Sequence, residues 1–265
     1  MTMPRAYWAE MTTEEVAGLE GAGLVAILPL AAIEQHGPHL PLSTDADICA
    51  GILAAAMARR SPGLPATALP PILVTKSDEH AGFPGTLSLT AETLVDAICQ
   101  TAAGLARLGL RKLVLLNGHG GNRDIMGLAA GRLRAEHGML VAKANTSDLY
   151  DAGTAVGGEE ARLGIHGGAV ETALMLHLKP DLVRKDRIAR FESLTAAMRE
   201  EGYEKLSPQG PHGFYWHAGD LNPAGVVGDA TKATAALGKA LTGQAADSLI
   251  ALLEEVHRFD VSRLV

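Results

Sequence analysis

The sequence predicts an α/β fold, a single-domain three-layer sandwich in which a mostly parallel sheet carries helices on both faces. Two observations carry this expectation. Short apolar runs at 24–30, 68–74, 112–116 and 139–144 alternate with longer stretches of helical periodicity at 46–60, 90–108 and 123–137. Strand, helix and strand repeated in this order imply right-handed crossovers and a parallel sheet covered on both faces. In addition, 47% of the 265 residues are apolar and neither a repeat nor a linker divides the chain. One core-bearing domain over residues 1–265 is the simplest organisation.

Taken in order, residues 1–20 hold Trp8 and a short helix opening at Thr12-Thr13-Glu14-Glu15. The run Leu24-Val25-Ala26-Ile27-Leu28-Pro29-Leu30 has the length and branched content of a buried strand. Residues 46–60 form a helix against the sheet, ended by Ser61-Pro62-Gly63-Leu64-Pro65, and a second strand follows over 68–74. Thr90 opens an amphipathic helix that stops at Gly109, and the strand 112–116 follows at once. After Asn117-Gly118-His119-Gly120-Gly121-Asn122, with Asn122 placed as N-cap, comes the helix 123–137 and then the strand 139–144. Residues 145–164 read as irregular, 173–178 as an apolar helix stopped by Pro180, 181–228 as mostly loop, and 229–259 as an Ala-rich helix suited to close packing.

Composition narrows the function. A net charge of −7 argues against nucleic acid as a partner, because phosphate neutralisation needs clustered Lys and Arg. No apolar run approaches membrane-spanning length and no secretory pattern opens the chain, while Cys49 and Cys99 sit in apolar helical patterns. A cytoplasmic protein with no membrane partner is expected.

Chemistry concentrates where strands end. The stretch 33–47 begins at the end of the first strand, where ligands sit in open α/β sheets. Pro38 and Pro41 exclude a regular helix there, and an extended backbone projects Glu34 and His36 to the same side, with Asp45 nine residues after His36. Such carboxylate and imidazole donors suit zinc, manganese or iron better than calcium or magnesium. Thr44 or Asp45 capping the next helix is the competing reading of the same residues. His119, on the turn after the strand 112–116, is read as a third ligand. A phosphate-cradling loop is the alternative there, although the glycine spacing matches no phosphate or dinucleotide motif. His80 follows the second strand on a loop fit for binding, with an exposed loop histidine as the plain alternative. His166 and Glu171 are five apart, so both can reach one site only if His166 precedes the helix that carries Glu171.

Together, Glu34-Gln35-His36-Gly37-Pro38-His39-Leu40-Pro41-Leu42, Thr44-Asp45-Ala46-Asp47, Phe83-Pro84-Gly85-Thr86, Asn117-Gly118-His119-Gly120-Gly121-Asn122, His166-Gly167-Gly168 with Glu171-Thr172, and Gly225-Val226-Val227-Gly228-Asp229 resemble the creatininase (creatinine amidohydrolase) family over about residues 20–240. The resemblance implies a dinuclear metal centre and hydrolysis of a non-peptide amide C–N bond. Matched motif by motif, it implies Glu34, His36, Asp45 and His119 as metal ligands, with Asp45 bridging and Glu171 the remaining ligand or a general base. It also implies two divalent ions per subunit, zinc first and manganese or iron next, and a homo-oligomer, hexameric or dimer-based. Two positions depart from creatininase itself. The glutamate two residues after the motif histidine is Gly121 here. The acidic residue before the later catalytic histidine is Ile165, and Thr154, Arg162 and Leu163 stand in the neighbourhood of the pocket tryptophans. Creatinine is therefore not the expected substrate, and the family also holds formamide hydrolases and a peptide-trimming enzyme of mycofactocin maturation.

The mechanism expected from these residues is attack on an amide carbonyl of a small molecule by a hydroxide bridging two ions roughly 3.5 to 4 Å apart. His166 is expected as general acid for the leaving amine, and His80, His39 and Asp47 as substrate contacts or supports for the ligands. A binuclear phosphoesterase would need cations near the glycine loop, where only Arg123 stands. A metal-free binding protein would have no reason to gather these residues, and a dinucleotide oxidoreductase lacks its glycine fingerprint.

Overall fold

The computed structural model describes residues 3–19 and 23–264. At its centre is a parallel sheet of β1 (Val25–Leu30), β2 (Ala66–Ala68), β3 (Lys112–Asn117) and β4 (Leu140–Asn145), in the order β2-β1-β3-β4. A short helix α1 (Thr13–Ala17), opened by a capping box between Thr12 and Glu15, precedes β1. The crossovers are α2 (Thr44–Arg59), α3 (Ala91–Arg107) and α4 (Arg123–His137). Later in the chain come α5 (Ala152–Val156), α6 (Gly158–Leu163), α7 (Ala169–Leu178), α8 (Leu194–Glu200), α9 (Ala218–Leu221) and α10 (Ala235–Arg258), with a two-stranded antiparallel pair of β5 (Arg190–Phe191) and β6 (Gly228–Asp229).

The three-layer expectation is met, and period-2 alternation in β1 and β3 explains it. Val25, Ile27, Val114 and Leu116 face α2, α7 and α10, packing on Ile52, Leu174 and Leu249. Ala26, Leu28, Leu113 and Leu115 face α3 and α4, packing on Leu94, Ile98 and Leu133. Both faces of these two strands are thus dry, as crossover helices on either side of a parallel sheet require. On the first face α10 lies close on α7. A Cβ built on Gly238 would stand 1.9 Å from the Ala173 carbonyl oxygen, so the small residues of α10 set the distance between the two helices. No helix among the described residues is long and apolar enough to cross a membrane.

Several boundaries differ from the sequence expectation, three of them for reasons visible in the backbone. The second strand was expected over 68–74 but β2 covers only Ala66–Ala68, because Pro70 and Pro71 have no N–H to offer a ladder. Pairing with β1 resumes only at Ile72, whose N–H donates to the Pro29 carbonyl at 3.0 Å. Odd-numbered residues of β1 face this side, so Pro29 lacks its N–H where the neighbouring strand has lapsed. Residues 145–164, expected to be irregular, hold α5 and α6. They are too short for a periodic signal, and α5 is opened by Asp151, whose side chain accepts from the Thr154 N–H. Helix α7 starts at Ala169 rather than 173, because the buried Glu160 carboxylate accepts from the Ala169 N–H at 2.9 Å and takes over one of the donors a helix start leaves unpaired.

Candidate metal centre

In the register of β1, β3 and β4, Leu30 pairs with Asn117 and Asn117 with Asn145, so these strands end level with one another. The chain leaves β1 toward Glu34 and His36 and leaves β3 toward His119. Helix α2 brings Asp45 in its first turn, and α7 brings Glu171 in its first turn with His166 just before it. The condition for His166 and Glu171 to share a site is therefore met. A chain of hydrogen bonds fixes the loop bases: Asn122 Nδ2 donates to Thr75 Oγ1 and Asn117 Oδ1, both at 3.1 Å, and the Thr75 hydroxyl donates to the Ala31 carbonyl at 2.7 Å. Asn122 occupies the N-cap position of α4 but its side chain is spent on this chain rather than on capping. Val226 clamps the Glu34–His36 and His166–Gly168 segments together. It lies where a Cβ on Gly37 or Gly167 would stand 2.5 or 2.4 Å from its methyls, and both glycines have left-handed φ, +66° and +69°.

Asp45 is the centre of the cluster. Its Oδ1 is 3.2 Å from His36 Nε2 and its Oδ2 is 3.1 Å from His119 Nδ1. Glu34 Oε2 is also 3.1 Å from His119 Nδ1, while Glu171 Oε2 lies 3.8 Å from His36 Nε2. The first-turn position of Asp45 thus serves the cluster and not a cap, and Thr44 spends its hydroxyl on the Pro41 carbonyl. Two groups with ligand atoms within 4.8 Å of one another share Asp45: Glu34, Asp45 and His119, and His36, Asp45 and Glu171. A third, Glu34, His36 and His166, overlaps them. Glu34, His36 and Asp45 are all at most 3% exposed, and Glu34 Oε2, His36 Nε2 and Asp45 Oδ2 have no hydrogen-bond partner. Buried polar atoms are seldom left so, and three of them within two adjoining groups that share Asp45 is what cation ligands look like.

The imidazoles are oriented from behind. His36 Nδ1 donates to its neighbour's carbonyl, Glu34 O, at 3.1 Å, and His119 Nε2 donates to Lys76 O at 2.9 Å. Because a carbonyl can only accept, each ring turns its unprotonated nitrogen toward the carboxylates, the tautomer a metal ligand needs. The field is strongly negative. Burial alone would lower the His36 pKa, yet Asp45, Glu171 and Glu34 push it up to about 9. His119 is raised well above its ordinary value against the same burial, by Glu34 and Asp45. Burial, countered in part by His36 and reinforced by Asp45, raises Glu171 to about 7. Asp45 is lowered despite its burial, by His36 and His119. Carboxylates that draw protons this strongly onto neutral-pH imidazoles would draw divalent cations likewise, so the residues fit a metal centre by both geometry and charge.

The other expected site residues divide. His80 is buried, with its Nδ1 2.8 Å from the Gln35 side-chain amide and its Nε2 3.4 Å from Glu34 Oε1, and it lines the cavity above the cluster. Burial lowers its pKa. His39 and Asp47, expected as substrate contacts, are not in the cavity wall. His39 donates Nε2 to the Gly167 carbonyl at 3.1 Å and stacks on Phe191, and burial lowers it to about 4. Asp47 accepts from Ser43 Oγ at 2.7 Å and pairs with Lys179 at 3.8 Å. The helix begins at Thr44 rather than 46, and two helical residues turn the side chain about 200°, so Asp47 points away when Asp45 points in.

Sequence reasoning assigned no role to four residues of the site. Gln35 donates its amide to the Gly225 carbonyl at 2.7 Å and accepts from the Gly37 N–H at 3.0 Å. Glu79 brings Oε1 to 3.3 Å from His119 Nε2. Its carboxyl is held below the usual range, burial being outweighed by the His119 hydrogen bond and charge. Glu160 joins α7 to β6 by accepting from the Ala169 and Asp229 N–H groups. Trp216, its indole N–H on the Pro208 carbonyl at 2.9 Å, stands edge-on to His80. An acidic residue beside a loop histidine was the one signal available for Glu79. The cluster is the floor of a cavity of about 810 Å³ whose walls include Lys76, Arg123, Ile125, Phe214, Tyr215 and Trp216.

Residues 9–253 match the model of one protein family, described as Creatininase: Creatinine amidohydrolase. The mycofactocin precursor peptide peptidase of Mycobacterium ulcerans (strain Agy99) is 32% identical over 234 residues, covering 84% of this chain and 82% of that protein. The creatinine amidohydrolase of Pseudomonas putida is 34% identical over 205 residues, covering 69% and 75%. Among solved structures, a glutamate-to-glutamine mutant of creatininase of the Zn-Zn type superposes with a TM-score of 0.75 at 25% identity, covering 96% of this chain and 99% of that one. With the same fold, a family match over nearly its whole length and a cluster fit to hold cations, the chain belongs to the creatininase family.

Proposed function

We propose that this protein is a metal-dependent amidohydrolase that cleaves an amide C–N bond of a small molecule, cyclic amide, lactam or formamide. The observation that carries the reading is the pair of three-residue groups joined by Asp45, with three buried ligand atoms left without hydrogen bonds. Glu34, Asp45 and His119 would hold one divalent cation and His36, Asp45 and Glu171 the other, zinc first by donor chemistry and manganese or iron next. Cations so held supply a water of lowered pKa and polarise a carbonyl oxygen.

The chain's own residues handle the proton. His166 donates Nε2 to the Gln35 carbonyl at 2.9 Å, which leaves Nδ1 as an acceptor facing Glu34 Oε1 at 3.8 Å. Burial first, then the positive charge of His36 and His80, lowers its pKa well below the ordinary value, so the ring stands neutral. To the general acid expected of His166 this adds the role of a base. A neutral His166 takes the proton of the attacking water on Nδ1 and then delivers it to the leaving nitrogen, the one ring acting as base and then as acid. Gln35 holds that ring's neighbours in place, and His80 contributes a donor at the mouth of the cluster.

A second reading, trimming of a peptide, is favoured by the cavity. About 810 Å³ falls in the upper part of the range for sites that enclose drug-sized ligands, and a single five-membered ring would leave most of it empty. The relation to mycofactocin precursor peptide peptidases over most of both chains points the same way. A panel of lactams, formamides and short peptides, read as amine release by protein loaded with zinc or manganese, separates the two. Loss of roughly 10²- to 10³-fold of the activity is expected in Glu34→Ala, since truncating one preorganised group at a reacting centre costs on that order. Full activity and full metal content in Glu34→Ala, or release of phosphate from esters with no amine from any amide, would overturn the proposal.

A further inference from the structure

Gly121 lies two residues after His119, and a Cβ built on it would stand 2.3 Å from Glu79 Oε1, 2.5 Å from His119 Nε2 and 2.8 Å from the Lys76 carbonyl oxygen. The room left by this glycine is filled by a carboxylate arriving from another segment of the chain. Glu79 is 8% exposed, and its Oε2 has no hydrogen-bond partner. Its Oε1 comes within 3.3 Å of His119 Nε2, whereas Lys76 Nζ is 3.8 Å from its Oε2 and sits nearer to Asp78 at 3.3 Å. The carboxylate is thus aimed at the ring nitrogen on the side opposite Glu34 and Asp45.

We propose that Glu79 is a positioning residue of the metal centre, its carboxylate supporting the His119 imidazole from behind in the space that glycine at 121 leaves open. The Lys76 carbonyl at 2.9 Å already fixes the tautomer. What Glu79 adds is a full negative charge against the Nε2–H, which raises electron density at Nδ1 and makes it a stronger ligand. It also limits rotation of the ring, because the carboxylate and the Ser77 hydroxyl at 3.3 Å flank the same nitrogen. The inference rests on the reading of Glu34, Asp45 and His119 as cation ligands. It extends that reading to a residue on the far side of the His119 ring from Glu34 and Asp45.

The test is zinc affinity and stoichiometry, measured by competition with a chromophoric chelator on the full chain, for wild type, Glu79→Gln, Glu79→Ala and Lys76→Met. Outer partners of ligating histidines are worth roughly 10- to 100-fold in metal affinity. A loss of that order at one of two sites is expected in Glu79→Ala, and a smaller loss in Glu79→Gln, which keeps an acceptor but no charge. Lys76→Met should stay within about threefold of wild type, because its ion pair to Glu79 is long and partly exposed. The nitrogen resonances of the His119 ring in the metal-free protein give a second readout, since they report the charge at Nε2. Wild-type affinity at both sites together with unmoved resonances in Glu79→Gln would overturn the inference, as would an equal loss in Lys76→Met. Wild-type protein that binds no divalent cation at all would sink the metal-centre reading itself, and this inference with it.

Discussion

Stripping the protein of divalent cations with a chelator should make its stability fall as pH rises from about 6.5 to about 9. His36 is buried against three carboxylates and pushed up to about 9 from its ordinary 6.5. A group raised in the folded state stabilises it fully below the unfolded pKa and ceases to do so above the folded one. Held that far from its ordinary value, this one imidazole is worth ~3 kcal/mol across the window. Glu171, raised to about 7 from 4.5, loses stability in the same direction but over a lower range. It opens partly on the cavity and shares the same charge field, so its contribution is not added to that of His36. Asp45 is lowered and works the other way, costing stability only in acid, below its ordinary range. For a chain of this size ~3 kcal/mol corresponds to roughly 6–12 °C in Tm. The measurement is urea or thermal unfolding at pH 6, 7, 8 and 9, in chelator and again in excess manganese. With cations present the slope should flatten, because they replace the protons on which the buried carboxylates otherwise depend. His119, raised by the same carboxylates, adds to the slope in the same direction. A metal-free stability that is level between pH 6.5 and 9, or a slope undiminished in His36→Gln, would refute the account of the cluster as a field built for positive charge.

Three further outcomes follow from the same geometry. His166→Ala should lower kcat by roughly 10²- to 10⁴-fold, as loss of a general acid–base group does, while leaving metal stoichiometry at wild type. Loss of one cation instead would place His166 among the ligands, with Glu34 and His36. Glu160→Ala removes the acceptor of a buried N–H, Ala169 at 2.9 Å, and a part-buried one, Asp229 at 2.8 Å, and should cost about 2–4 kcal/mol in urea unfolding. A cost under about 0.5 kcal/mol would mean that α7 does not depend on this anchor. Gly238→Ala should destabilise by about 3 kcal/mol, since its Cβ meets backbone at 1.9 Å and neither helix can yield locally. It should also weaken metal binding, because the carbonyl it displaces belongs to Ala173, two residues along α7 from Glu171.

The architecture and most of the cluster were legible because they lie on boundaries the sequence marks. Glu34, His36 and His119 each follow an apolar run within a few residues, and the end of a parallel strand is where such residues meet. Asp47 misled for a reason of the same kind. Placing the helix start at 46 instead of 44 left both aspartates free to face the site, whereas one helical register admits only one of them. Trp216 lies in the stretch read as mostly loop, and nothing in 181–228 reveals that it folds back over His80.

Glu79 and Glu160 were illegible for a deeper reason. Each acts through space vacated elsewhere: Glu79 over Gly121, and Glu160 among Gly164, Gly168 and Gly228, where Cβ atoms would stand 2.2, 2.8 and 2.7 Å from its Oε1. A glycine in a sequence announces that something comes near, or that the backbone turns, but not which. At Gly37 and Gly167 the left-handed backbone already accounts for the residue, whereas φ at Gly121, Gly164 and Gly168 lies outside that region and close neighbours, an approaching carboxylate among them, account for it instead. The abundance of glycine around this centre, 30 in the whole chain, therefore has two separate causes. One shapes the turns that present the ligands. The other makes room for buried anions, one holding the His119 ring and the other holding the helix that carries Glu171. A side chain added at Gly121 would press on both Glu79 and the His119 ring, and one added at Gly168 would crowd Glu160, the carboxylate that anchors the helix carrying Glu171.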